Sequence, residues 1–408
     1  MKEPQIVNHA ISDIIKGGNV DKINDYISEG KVILQNKSPE TEPLIEPDEI
    51  QKEILKCLTM NARLPANKIG KMAGIKGADV YYKIKNLEKQ YGLTYTTQLF
   101  VPPLGYYPYL ILIKFTNERP DIEELKRTIV NEAKIQFAVY AKGEYDVIAY
   151  MLEESPFMAE QTVLRLRTDT ALGRYDAIFY TTPLAQSYGY IHIRDGFFSN
   201  ILQPRILHKK RGTEITDNHP LGEREFIVLR ELNENGALEF TEIDKRHGLD
   251  RGTALYTYDR LKAKGIIVRP TINASQTGIK YLGVIFIKRL DMSKYSKTKE
   301  HLYYDVINNN EIVSRYALIC EVGAPDTVIL FMPIRGDNSI DKIANELKGK
   351  LNGVEISSAI VTENLVGYIC MRRFDNEYSN YYNELVAMKK LKPKIRTNYE
   401  NVIQHKGI

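Results

Sequence analysis

No apolar run in this 408-residue chain approaches the roughly 18 residues a membrane-spanning helix needs. MKEPQIVNHA, at its start, shows no hydrophobic signal-peptide core, so a cytoplasmic protein with no membrane partner is expected. Cysteine is scarce. Cys57, Cys320 and Cys370 are scattered and odd in number, which argues against a disulfide framework and for thiols in a reducing cytosol. No CxxC or Cys/His spacing offers a zinc site, and no phosphate loop or nucleophile–base pair appears. Neither a metal nor a cofactor is therefore expected. Net charge is also small: +4 decides no partner by itself. With 43% hydrophobic and 26% charged residues the composition is that of a globular protein. The length suits about two to four domains.

What is present starts with Asp48–Gly92, which reads as three short helices followed by a β-like TYTTQLFV. Ile50, Ile54, Leu55 and Leu58 recur at helical spacing. Pro65 suits the first turn of the second helix, whose buried side is Ile69, Met72 and Ala73, and Gly74 stops it. In the third helix Val80, Ile84 and Leu87 share one face. Tyr82, Lys85, Asn86 and Lys89 point away from it, with Lys76 and Lys83 as further basic groups. This is the build of a winged helix-turn-helix, with a small helical packing module as the bland alternative.

The pattern returns at 222–265. An offset of 174 aligns Leu58 with Leu232, Asn61 with Asn235, Gly74 with Gly248 and Leu87 with Leu261. Beyond it, LGYYPYLILIKF is echoed by TGIKYLGVIFIKR, KGEYDVIAYML by VGAPDTVILFM, and YGYIHIRDGFFSN by VGYICMRRFDNEYSN. So long a repeat is two copies of a two-domain unit, not a solenoid. Between the echoes, the strand and helix patterns run β-α-β-β-α-β, a ferredoxin-like unit.

The expected fold class is α+β. Residues 1–47 form a helical segment and linker, 48–102 the first winged helix-turn-helix, and 103–185 the first ferredoxin-like effector domain. Residues 186–220 are an extension and basic linker, 221–273 the second winged helix, 274–365 the second effector domain, and 366–408 a C-terminal extension. Each sheet leaves an apolar face without cover. The simplest solution packs the two sheets face to face as an intramolecular pseudo-dimer.

The pairing of domains resembles the Lrp/AsnC (feast/famine) transcription regulators. PDEIQKEILKCLTMNARLPANKIGKMAGI is similar to the family's opening pattern, with Gln51 at the second acidic position. VYYKIKNLEKQYGL is similar to its recognition helix, with Lys83 for arginine. KGEYDV and VGAPDTV resemble its G-x-x-D turn. Departures are the tandem in one chain, the extra segments, and Lys262 where the family carries Glu. The resemblance implies double-stranded DNA as partner, oligomers, and a small-molecule effector such as an amino acid or related metabolite. Effector contacts would fall at Gly143, Tyr145, Asp146, Gly323 and Asp326. Read as β-turns, the same residues need only a glycine and an Asp acceptor.

Three functions follow. The first is a sequence-specific DNA-binding regulator that uses Lys76, Tyr82, Lys83, Lys85, Asn86 and Lys89, and in the second copy Arg251, Thr253, Tyr256 and Arg260. The second is an enzyme, because a decarboxylase of modified tetrapyrroles is built on the same two domains. Only His192 among seven histidines sits on an apparent strand, and the expectation is that the chain is not an enzyme. The third is an architectural or partner-binding protein. Asn61–Gln90 holds Arg63, Lys68, Lys71, Lys76, Lys83, Lys85 and Lys89 against Asp79 and Glu88. Asn235–Lys264 holds six basic against five acidic residues. The first head is therefore expected to bind DNA more tightly.

Overall fold

The computed structural model describes residues 48–168, 170–187, 190–210, 221–273, 281–289, 318–322, 327–334, 340–367 and 369–370. The segment 1–47, the tail from 371, and Gly323 and Asp326 lie outside them.

Helix α1 (Glu49–Met60) starts at Asp48, whose carboxylate accepts from the Gln51 N–H while Gln51 accepts from the Asp48 N–H. This reciprocal cap satisfies two donors that a helix start leaves open. Helices α2 (Ala66–Ala73) and α3 (Gly77–Tyr91) follow, then strand β1 (Thr94–Leu99). Ile54, Leu55, Leu58, Ile69, Val80 and Leu87 bury the expected faces in one small core. Met72, expected inward, is 53% exposed.

The first ferredoxin-like unit is β2 (Tyr107–Phe115), α4 (Ile122–Asn131), β3 (Ile135–Gly143), β4 (Val147–Glu153), α5 (Pro156–Thr168) and β5 (Ala177–Ser187). After β6 (Tyr190–Ile191), short helical turns over Asp195–Phe197 and Phe198–Leu202 lead into α6 (Gln203–Lys210). The second head is α7 (Glu223–Glu234), α8 (Phe240–Arg246), α9 (Thr253–Ala263) and β7 (Ile267–Asn273). The second unit contributes β8 (Tyr281–Arg289), β9 (Leu318–Val322), β10 (Thr327–Ile334), α10 (Ile340–Lys350) and β11 (Val354–Val366), and β12 (Ile369–Cys370) follows. The chain is thus two winged helix-turn-helix units and two ferredoxin-like units.

The two sheets do more than stack. They close into one eight-stranded barrel in the order β10-β8-β11-β3-β4-β2-β5-β9. Each unit's last strand crosses to the other unit's second strand: β11 pairs with β3, and β5 pairs with β9. β5 has 11 residues and β11 has 13, long enough to reach beyond their own sheets. Closure removes the open edges that a stacked pair would leave.

Side chains alternate across β2 and β4 with the period of two that a strand imposes. Leu110, Leu112, Ile148, Tyr150 and Leu152 turn into the barrel, where Val284, Phe286, Ile329 and Phe331 of the second unit meet them. Tyr109, Ile111, Ile113, Ala149 and Met151 turn outward under α4 and α5. Both faces are buried, which is why these strands read as unbroken apolar runs.

Candidate functional site

The heads come first. Lys76 is the N-cap residue of α3 and is exposed, as are Tyr82, Lys85 and Lys89 along its outer face. Lys85 pairs with Glu88 at 2.8 Å. Lys83 turns back to the N-cap of α1, its Nζ 3.2 Å from Asp48, and Asn86 is half-buried. In the second head Arg251 and Tyr256 are exposed, and Thr253, half-buried, opens α9. Arg260 is exposed but ion-paired at 3.1 Å to the buried Glu225, which also holds Lys264 at 2.7 Å.

Arg63, counted among the basic residues of the first head, belongs elsewhere. Its guanidinium donates to the carbonyls of Gly236 and Leu238 and lies 4.0 Å from the centre of the Phe240 ring. Burial lowers its pKa. It bridges the heads and is withdrawn from the outer face.

The rest of that bridge is reciprocal. β1 and β7 are not parts of separate hairpins; they pair with each other, Thr94 opposite Asn273 and Gln98 opposite Arg269. The Thr96 and Thr97 hydroxyls donate to the carbonyls of Asn233 and Leu232 at the end of α7. Thr271 donates to the Thr59 carbonyl at the end of α1. Gly236 must be glycine for this approach, since a Cβ there would run into the Thr96 carbonyl oxygen.

His192 lies beneath the same seam, with Nδ1 3.0 Å from Thr96 Oγ1. The only hydrogen of that hydroxyl goes to the Asn233 carbonyl, so the hydroxyl accepts from Nδ1–H. Burial pushes its pKa down to about 4, against a smaller opposing pull from Asp195. Next to it, Arg194 donates to the carbonyls of Val130, Glu132 and Ile135 around the end of α4, and burial lowers its pKa to about 10.

The turn joining β3 to β4 lies where the two units meet. Gly143 has φ 148, and a Cβ there would strike the Ser358 carbonyl oxygen on β11. Asp146 is 1% exposed and accepts from the Phe115 N–H at 2.9 Å and from Arg119 at 3.0 Å. Its carboxylate holds the turn. Tyr145 crosses between the units, with its ring centre 5.8 Å from that of Tyr180 and 5.1 Å from that of Phe286.

Several groups escaped sequence reasoning. Asp244, counted only as a negative charge, is buried and accepts from the Gly252 and Ala254 N–H groups, both at 2.7 Å, at the start of α9. Its counterpart in the first head, by the 174-residue offset, is Gly70. Tyr81 and Leu255, next to the expected tyrosines, are also exposed. No sequence signal marked them.

No protein-family model and no curated protein matches the chain. Among solved structures, the siroheme decarboxylase NirDL is similar over 84% of this chain and 99% of that chain, at 12% identity and TM-score 0.53. NirDL in co-complex with an iron-uroporphyrin III analogue is similar over 83% of this chain and 99% of that one, at 13% identity and TM-score 0.51. The Mycobacterium tuberculosis leucine response regulatory protein LrpA matches 36% of this chain and 100% of its own, at 17% identity and TM-score 0.29. At these identities the likeness is one of fold. It corrects one expectation all the same: the chain was expected not to be an enzyme, and the fold spanning 84% of it is that of a decarboxylase.

Proposed function

We propose that the two heads bind double-stranded DNA and that the chain is a sequence-reading regulator of the Lrp/AsnC type. The observation that carries this reading is the outer face of α3. Lys76, Lys85 and Lys89 are exposed around Tyr82, with Lys68 and Lys71 exposed on or beside α2. Lysines so placed neutralise phosphates, and the residues of the first two turns reach base edges in the major groove. The interlocked seam holds the second reading helix in a fixed relation to the first, which suits two half-sites at one spacing. Titration of duplex DNA with the full chain at several salt concentrations tests the reading. Affinity should fall log-linearly with salt, and absence of binding at low salt would sink the proposal. Binding with a steep salt slope but no preference among sequences would favour an architectural protein instead.

An amino acid or related metabolite as effector belongs to the same reading. Tyr145 supports it, because its ring spans both units beside Gly143 and a ligand there would act on both. A thermal-shift screen tests this, and saturation at 100 times the dissociation constant adds about 2.7 kcal/mol.

A second reading concerns the barrel and stands beside the first. The similarity to NirDL along most of the chain supports a decarboxylase acting on a tetrapyrrole carboxylate. Incubation with siroheme, followed by mass spectrometry for loss of carbon dioxide, decides it. Unchanged siroheme with the folded chain at stoichiometric concentration removes it.

A further inference from the structure

The two reading helices have diverged almost completely. Across the 15 positions of α3 and their counterparts 174 residues on, only two residues are the same. One pair, Leu87 and Leu261, is fully buried and needed for each head's core. The other is Tyr82 and Tyr256, which are 68% and 69% exposed. The position before them is also large, apolar and exposed in both heads, Tyr81 at 63% and Leu255 at 47%. One exposed ring needs no explanation. Its recurrence at one position, while every other surface position around it has changed, does.

Folding does not require these side chains, since neither is packed. The surroundings of Tyr82 are cationic, with Lys76, Lys85 and Lys89 exposed, whereas around Tyr256 Arg251, Arg260 and Lys262 are interleaved with the exposed Asp250 and Asp259. The occupant that meets a polyanionic surface and still offers an apolar group is the major groove, where the thymine methyl is the apolar feature. Resting on the DNA-binding reading above, we infer that Tyr82 and Tyr256 each pack on a thymine methyl, so that both half-sites share a thymine. One turn further on, the heads differ. Asn86, half-buried, offers an amide, whereas its counterpart Arg260 is a guanidinium held at 3.1 Å by Glu225. The bound site is therefore an imperfect palindrome: a common thymine and unlike neighbouring base pairs.

The test uses the full chain and duplex DNA enriched on it from a random library. Each thymine of the enriched site is replaced in turn by deoxyuridine, which keeps every hydrogen-bonding edge and removes only the methyl. One thymine per half-site should lose about fourfold in affinity, the worth of a buried methyl group. Tyr82→Ala and Tyr256→Ala should each erase that difference in one half-site only; both side chains are exposed, so the fold is kept. Enriched DNA that binds equally well with deoxyuridine at every position overturns the methyl contact and leaves DNA binding standing. Binding without enrichment of any sequence overturns the contact as well. No duplex binding at all removes both readings.

Discussion

The two heads share a fold and differ in how they are held. The first has a core of its own, closed by Ile272 from β7. The core of the second runs without a break through Phe226, Phe198, Phe197 and Tyr106 into the barrel. Their reading helices start differently too. α9 is capped from below by the buried Asp244, whereas α3 starts at Lys76 with no side-chain cap and Gly70 beneath it. A carboxylate at a helix N-terminus satisfies the donors that would otherwise meet a phosphate. The first head is therefore built to leave its reading helix open, and the second to anchor its own.

The largest effect should come from Arg63, which ties the heads together once only, because its counterpart is Ala237. Arg63→Ala removes two charge-assisted hydrogen bonds and a ring contact, and should cost about 3 kcal/mol in urea unfolding. An unchanged midpoint would mean that β1–β7 pairing alone couples the heads. Next is Asp244→Ala, expected to cost about 2 kcal/mol through two orphaned N–H groups at the start of α9. If hydrogen exchange in the second head does not rise with it, the cap is not what anchors α9.

Smaller still is the difference in DNA affinity. Lys85→Ala with Lys89→Ala should weaken binding and flatten the salt slope by about one to two units. Arg251→Ala with Lys262→Ala should do less, since the second head sets six basic against five acidic residues and neutralises fewer phosphates to begin with. Equal losses would favour a symmetric reader.

The smallest effect is in acid. Asp48 is held below the ordinary carboxylate range chiefly by the Gln51 N–H, with burial opposing and Lys83 adding to it. At Glu225 burial pushes upward, but Lys264, the Gly222 N–H and Arg260 leave the pKa lowered on balance. A group whose folded pKa is depressed stabilises the fold above its unfolded value, and that contribution is lost as pH falls through the folded value. Both heads should thus weaken below about pH 4. Glu225→Gln should flatten this acid limb more than Asp48→Asn, because Glu225 is buried between two cations and Asp48 is exposed. Melts between neutral and acid pH that flatten equally for both variants would contradict this.

Much of the local build was legible in the chain. Helical spacing named Ile54, Leu55, Leu58, Val80 and Leu87, all buried, and Tyr82, Lys85 and Lys89, all exposed, because a period of 3.6 fixes which side of a helix a residue takes. The 174-residue offset showed that there are two copies. Met72 and Arg63 depart from that reading for different reasons. The first lies at the rim of a small head with little to cover it, and the second meets a partner whose position no local pattern encodes.

The amino-acid sequence by itself determined the elements, their buried faces and their duplication, since each depends on residues a few positions apart. Only the tertiary structure decided that the sheets close into a barrel, that β1 pairs with β7, that Arg63 faces inward and that Asp244 is a cap. The first two rest on backbone hydrogen bonds between distant strand edges, which every residue but proline offers alike. The other two depend on which carbonyls and N–H groups the folded chain brings within reach of one charged side chain.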